Sequence, residues 1–250
     1  MAWGYFIATC VFLILSLLIF YFLNRGGKLL IDFNQILQNF KKINFKKYFK
    51  FGFLIAINKN LGTLFSLLPV TILGIFALSS DVAYFNIAFA YIGIPLMALD
   101  PISRLLGVQL PKSKTYGIEM LKKHFYRVSL WSGLVSLFLI IPFTVFGPIL
   151  IKFFYGAEYI NSIKLVYWLA LFGIISGFSV GLGSIYRTLN KMKISIIITL
   201  GQTVFTLLVM IFLIKFLSPL MSIVFALIIP SAIFLFINFY VIKKVFEREN

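Results

Sequence analysis

The chain has 250 residues, of which 61% are hydrophobic and only 12% charged, against about 25% charged in soluble domains. Its mean hydropathy is +1.03, yet it carries a formal net charge of +16, from 23 Lys+Arg against 7 Asp+Glu. A soluble fold of this length cannot hide so much apolar surface, so an ordinary globular enzyme, a disordered chain and a disulfide-rich secreted domain are excluded; a polytopic membrane protein remains.

The apolar runs predict an all-α membrane helix bundle. Seven segments reach the ~20 residues needed to span: 3–23, 51–76, 84–108, 125–150, 162–187, 194–214 and 220–242. Backbone in lipid must satisfy its own hydrogen bonds, and none of these runs alternates as a barrel strand would. The first run is longer than the apolar core of a leader and reads as a spanning helix. Cys10 is the single cysteine and His124 the single histidine, so no internal disulfide and no Cys/His metal cluster is expected.

Residues 25–50 form a polar linker with a pattern of its own. Phe33, Ile36, Leu37, Phe40 and Ile43 recur at helical spacing, while Asn34, Gln35, Gln38, Asn39, Lys41 and Lys42 largely fill the other face. This predicts an amphipathic helix lying on a membrane surface, held by apolar burial and by lysine attraction to anionic lipid. The expected organisation is a single spanning helix over 1–24, the linker over 25–50 and a six-helix lobe over 51–250.

Charge orients the bundle. Sixteen basic residues fall in the linker, in the loops after 108 and after 187, and in the C-terminal tail; Lys152, Lys164 and Lys215 alone fall on the opposite side. The positive-inside rule then puts the N-terminus outside, Asn250 in the cytoplasm and the chain in the cytoplasmic membrane. Pro69, Pro95, Pro101, Pro142, Pro148 and Pro230 interrupt the runs, and Gly173, Gly177, Gly181 and Gly183 cluster in one of them. Such residues permit kinks and close helix approach, and for any single one ordinary helix packing is the plainer reading.

Four cations remain at membrane depth, Lys59, Arg104, Arg127 and Arg187, with Asp100 as the one acid. Charged groups are costly in lipid and usually face an interior or a wet path. If the four face one another they form a cationic vestibule suited to phosphate or pyrophosphate. The plainer alternatives are a local i,i+4 ion pair between Asp100 and Arg104, and snorkelling of Arg127 and Arg187 to the interface. Lys59 is too deep to snorkel comfortably.

The stretch 47–92, with Ile72-Leu73-Gly74 and then Asp81-Val82-Ala83-Tyr84-Phe85-Asn86-Ile87-Ala88, resembles two successive helices of polysaccharide flippases. These are the Wzx-type members of the multidrug/oligosaccharidyl-lipid/polysaccharide exporter superfamily. Phe154-Tyr155-Gly156-Ala157-Glu158-Tyr159 resembles the family's aromatic-glycine loop, and 182–195 its cytoplasmic turn, with Asn190-Lys191 where a Gly-Lys pair is common. The likeness covers roughly 47–215. It departs at Pro69, near a position where many relatives carry Asp, and at Ser218-Pro219-Leu220-Met221-Ser222, where a glycine-alanine pattern is usual.

The resemblance implies two six-helix lobes around a central cavity, with 1–24 the last helix of a missing N-terminal lobe and 51–250 one MATE-like C-terminal lobe. It implies transport of a polyprenyl-pyrophosphate-linked oligosaccharide by alternating access for polysaccharide biosynthesis. Lys59, Arg104, Arg127 and Arg187 would then bind the pyrophosphate. The expected partners are that lipid-linked oligosaccharide, membrane lipid and the missing lobe, with no nucleic acid, cofactor or metal. A MATE-like multidrug exporter and a non-catalytic accessory fragment are the alternatives, and the shortage of buried acids weighs against cationic drugs. Enzyme readings fail on the residues: the outer loops are short, no Asp-rich metal motif exists and no nucleophile–base pair stands out.

Overall fold

The computed structural model describes residues 11–16, 18 and 45–249. The predicted amphipathic face over 33–43 lies outside the described residues, as does most of the first predicted span. Two units divide the chain, 1–52 and 53–250. In the first, the described residues are helical: 11–16, 18 and the opening turns of a helix that begins at Phe45.

Among the described residues the fold is helix and turn without strand. Eight helices follow in order: α1 Phe45–Phe76, α2 Ser79–Met97, α3 Asp100–Thr115, α4 Ile118–Tyr155, α5 Ser162–Phe178, α6 Leu182–Thr188, α7 Met192–Leu213 and α8 Pro219–Glu249, with a 3-10 turn at Ala157–Tyr159. Among the described residues, six segments are long and apolar enough to cross a membrane: Phe51–Phe76, Ser79–Met97, Ile118–Tyr155, Ser162–Thr188, Met192–Leu213 and Pro219–Glu249. The chain is an all-α bundle of membrane-spanning type.

Two expected spans are broken. The run 84–108 divides at Ala98–Leu99 into α2 and α3, because Pro101 in the first turn of α3 has no N–H to offer the Met97 carbonyl. The run 162–187 divides at Ser179–Gly181 into α5 and α6, where Gly181 takes a φ of +95°. That left-handed backbone costs a side-chain-bearing residue roughly 1–2 kcal/mol. A Cβ at Gly181 would also press on Leu106 Cδ1 at 3.1 Å. Gly181→Ala is therefore expected to lower the thermal midpoint by several degrees, about 2–4 °C per kcal/mol for a chain of this size, as read by unfolding in detergent. An unchanged midpoint would mean that the break does not depend on this conformation.

Two apolar clusters fix the alternation of the helices. One joins late α1 (Leu73), α2 (Val82, Phe85, Ile92), late α4 (Ile140, Ile151), early α5 (Leu165, Leu169), late α7 (Met210) and early α8 (Val224, Leu227). The other joins α3 (Leu106, Leu110), early α4 (Leu121, Phe125), α6 (Ile185, Tyr186), early α7 (Met192) and late α8 (Ile242, Phe246). Successive spans must run up and down for these sets to meet. Lys152, Lys164 and Lys215 then belong to the first end, and Lys112, Lys114, Lys122, Lys123, Lys191, Lys193, Lys243, Lys244 and Arg248 to the second. Contacts close this basic end: Lys114 Nζ donates to the Thr188 carbonyl at 3.3 Å, and Lys191 pairs with Glu249 at 3.6 Å.

The tightest seam lies between α4 and α5. Ser129 Oγ donates to the Phe178 carbonyl at 2.6 Å and Ser136 Oγ to the Gly173 carbonyl at 3.1 Å. The first bond caps an α5 carbonyl beside the break, where no intrahelical donor follows. Small residues let the two backbones approach closely enough for these hydroxyls to reach.

Candidate functional site

Between the two apolar clusters each helix of the core changes character. Along α5 and α6, apolar Leu165–Ala170 gives way to Ser176 and Ser179 before Ile185. Along α7, Ser195, Thr199 and Gln202 precede Met210. Along α8, Ser231 and Asn238 separate Leu227 from Ile242. These polar positions, with Asn58 of α1 and Tyr186 of α6, line a cavity of about 350 Å³. Gln202 lies ten residues into α7, about 15 Å at ~1.5 Å per residue, half-way through a hydrocarbon core of about 30 Å.

The cavity's hydrogen bonds decide what it offers a ligand. Asn58 Oδ1 accepts from Ser195 Oγ at 3.2 Å and Thr199 Oγ1 at 3.5 Å. Both acceptor positions are occupied, so the two N–H groups of Nδ2 are left to donate. Gln202 Nε2 donates to Ser231 Oγ at 3.4 Å, leaving Oε1 to accept. Tyr186 OH donates to Asn238 Oδ1 at 2.9 Å, and Asn238 Nδ2 donates to the Phe234 carbonyl at 2.7 Å. That pair is a braced wall between α6 and α8. Phe65 and Phe172 add apolar faces.

No charged side chain among the described residues lines this cavity. Lys59 follows Asn58 on α1 and is exposed. Arg104 is exposed on α3, and Arg127 is exposed on α4. Arg187, also exposed, folds back on its own helix: Nε donates to the Gly183 carbonyl at 3.1 Å and Nη2 to Ser184 Oγ at 3.4 Å. Nor do Asp100 and Arg104 form the ion pair that their spacing suggests. Both are exposed, and the ion pairs among the described residues are Lys122–Glu119 and Lys191–Glu249.

Sequence reasoning followed the charges and passed over the neutral polar stripe. The signal was present as Ser195, Thr199 and Gln202 at i, i+4 and i+7, and Ser231 and Asn238 at i and i+7, inside otherwise apolar runs. In chemical terms the site is neutral, rich in both donors and acceptors, and edged by aromatic rings. Such a site suits an uncharged, hydroxyl-bearing ligand better than an isolated anion or cation. No protein-family model matches the chain, and neither does any curated protein or solved structure.

Proposed function

We propose that the chain is one lobe of a transporter that flips a polyprenyl-pyrophosphate-linked oligosaccharide across the cytoplasmic membrane by alternating access, with the neutral cavity receiving sugar. The supporting observation is the cavity itself: a polar, uncharged pocket at mid-depth in a bundle of apolar helices. Sugar hydroxyls both donate and accept, which matches the free Asn58 amide N–H groups and the free Gln202 carbonyl. A cationic drug would find no carboxylate there. Of the motifs that resemble the flippases, Ile72-Leu73-Gly74 lies near the end of α1, Asp81 in the first turn of α2, and Asn190 turns the chain from α6 into α7 with a φ of 57°.

In this reading the pyrophosphate is met outside the cavity. Lys59 follows Asn58 along α1, and Arg104, Arg127 and Arg187 provide further cationic contacts. A second lobe supplies the opposite wall, and the lipid tail stays in the bilayer.

The test is complementation in cells whose surface polysaccharide depends on this protein. Asn58→Leu and Gln202→Leu should each lower output by about tenfold at unchanged protein level, the equivalent of one lost hydrogen bond of about 1.4 kcal/mol. Wild-type output from both would overturn the assignment. Resistance to cationic dyes on expression, with no effect on polysaccharide, would point to drug export instead.

A further inference from the structure

We infer that a small monovalent cation binds where the two helix breaks meet, held by the Asp100 carboxylate and the hydroxyl oxygens of Ser103, Ser176 and Ser179. The inference stands whether or not the central cavity carries a sugar.

The breaks lie at matching depth. The first apolar cluster brings the beginnings of α2 and α5 together, and Met97 lies 18 residues along from Ser79, Phe178 16 residues along from Ser162. At ~1.5 Å per residue both helices stop about 24–27 Å down. A second cavity, about 240 Å³, opens there, lined by Asp100 and Ser103 from one break and by Ser176, Ser179 and Val180 from the other.

The chemistry of the lining is that of a cation ligand set. Ser176 Oγ donates to the Phe172 carbonyl at 2.8 Å and Ser179 Oγ to the Ile175 carbonyl at 3.3 Å. Their protons are spent on their own helix, so what remains for the cavity is oxygen lone pairs. The carboxyl ends of α2 and α5 both lie here, with the partial negative charge of a helix C-terminus. Pro101 sharpens this, since it gives the Met97 carbonyl no N–H.

Asp100 also sits in the first turn of α3, where an acid favours the helix N-terminus. That accounts for an acid on α3. It does not account for proton-spent hydroxyls contributed from a separate helix. Asp100 makes no ion pair among the described residues and is exposed, which leaves an ion a way in. One carboxylate balances a single positive charge. A divalent ion would call for more acids, and no group of three His, Cys, Asp or Glu able to hold a metal occurs among the described residues. Ser176 and Ser179 line the central cavity as well, so a bound ion would brace part of its wall.

The experiment is thermal unfolding of the purified full chain in detergent, with sodium chloride titrated against choline chloride at constant ionic strength. Sodium should raise Tm saturably by about 2–4 °C. Asp100→Asn, which keeps the shape and removes the charge, should abolish the rise while leaving Tm in choline close to wild type. Ser103→Ala should raise the half-saturating sodium concentration several-fold, and is read in place of Asp100→Asn if that variant does not fold. Equal midpoints in sodium and choline would overturn the inference. So would a sodium response that survives Asp100→Asn, or a half-saturation that Ser103→Ala leaves unmoved.

Discussion

Gly177→Leu is expected to yield little or no folded protein. A Cβ at Gly177 would collide with Ser136 Cβ and Oγ and lie 3.3 Å from the Ser132 carbonyl oxygen. The obstacle is a short side chain and backbone on α4, so nothing nearby can swing aside. Overpacking of a tight seam costs about 1–3 kcal/mol, and forcing α4 away from α5 also breaks the bond from Ser136 to Gly173, worth about 1 kcal/mol more. Leucine adds three carbons beyond that Cβ, so the total approaches a typical margin of about 5–15 kcal/mol. The measurement is the monodisperse fraction in size exclusion, followed by the thermal midpoint. Gly107→Ala is the control: a Cβ there meets nothing within 4 Å, and it lies in helical α3. It should be neutral or stabilising by about 0.5–1 kcal/mol. If both variants behaved alike, the close α4–α5 approach would not matter to stability.

The second large effect is expected at Asn238. Tyr186 is 1% exposed, and its hydroxyl donates to Asn238 Oδ1. Asn238→Leu leaves that buried hydroxyl without its acceptor, a loss of about 1–3 kcal/mol. Tyr186→Phe should cost less, because Asn238 keeps its bond to the Phe234 carbonyl. The two changes together should therefore cost clearly less than their sum, with a coupling of at least ~0.5 kcal/mol in a double-mutant cycle. Strict additivity would show that the pair is not the brace between α6 and α8. The same cycle read by transport separates bracing from ligand contact, since Tyr186→Phe changes the wall while leaving Asn58 and Gln202 in place.

How far the fold could be read in advance is clearest at its breaks. Spans 51–76, 194–214 and 220–242 end within a few residues of α1, α7 and the apolar part of α8, because hydropathy and length suffice there. The breaks at Ala98–Leu99 and Ser179–Gly181 are marked in the sequence only by Pro101 and Gly181. A hydropathy run carries across a turn of two or three residues that stays apolar. The α4 helix runs well past 125–150 at both ends, since helix propensity does not stop at the edge of an apolar run. Of the candidate site, the stripe on α7 was legible as a face but its partners were not. Asn58 meets Ser195 and Thr199 across 137 and 141 residues of chain, a relation that only tertiary packing creates. The Asp100–Arg104 spacing was legible too, yet spacing gives only the opportunity, and the two side chains do not meet.

The placement of the polar layer has a mechanical consequence. Above and below it, side chains interlock at solid-like density, and an interlocked surface cannot slide by fractions of a residue. Within the layer the contacts are hydroxyl and amide bonds that can exchange partners, or exchange with water, for about 1 kcal/mol each. The unit is thus two hard blocks separated by a lubricated plane. The chain crosses that plane through unbroken α1, α4, α7 and α8, and through two interrupted spans broken at Ala98–Leu99 and at Ser179–Gly181. Shear between the blocks would be resisted by the four rods and permitted at the two breaks, so the easiest motion is a bend of the interrupted spans that opens or closes the cavity on the side of Ser176 and Ser179.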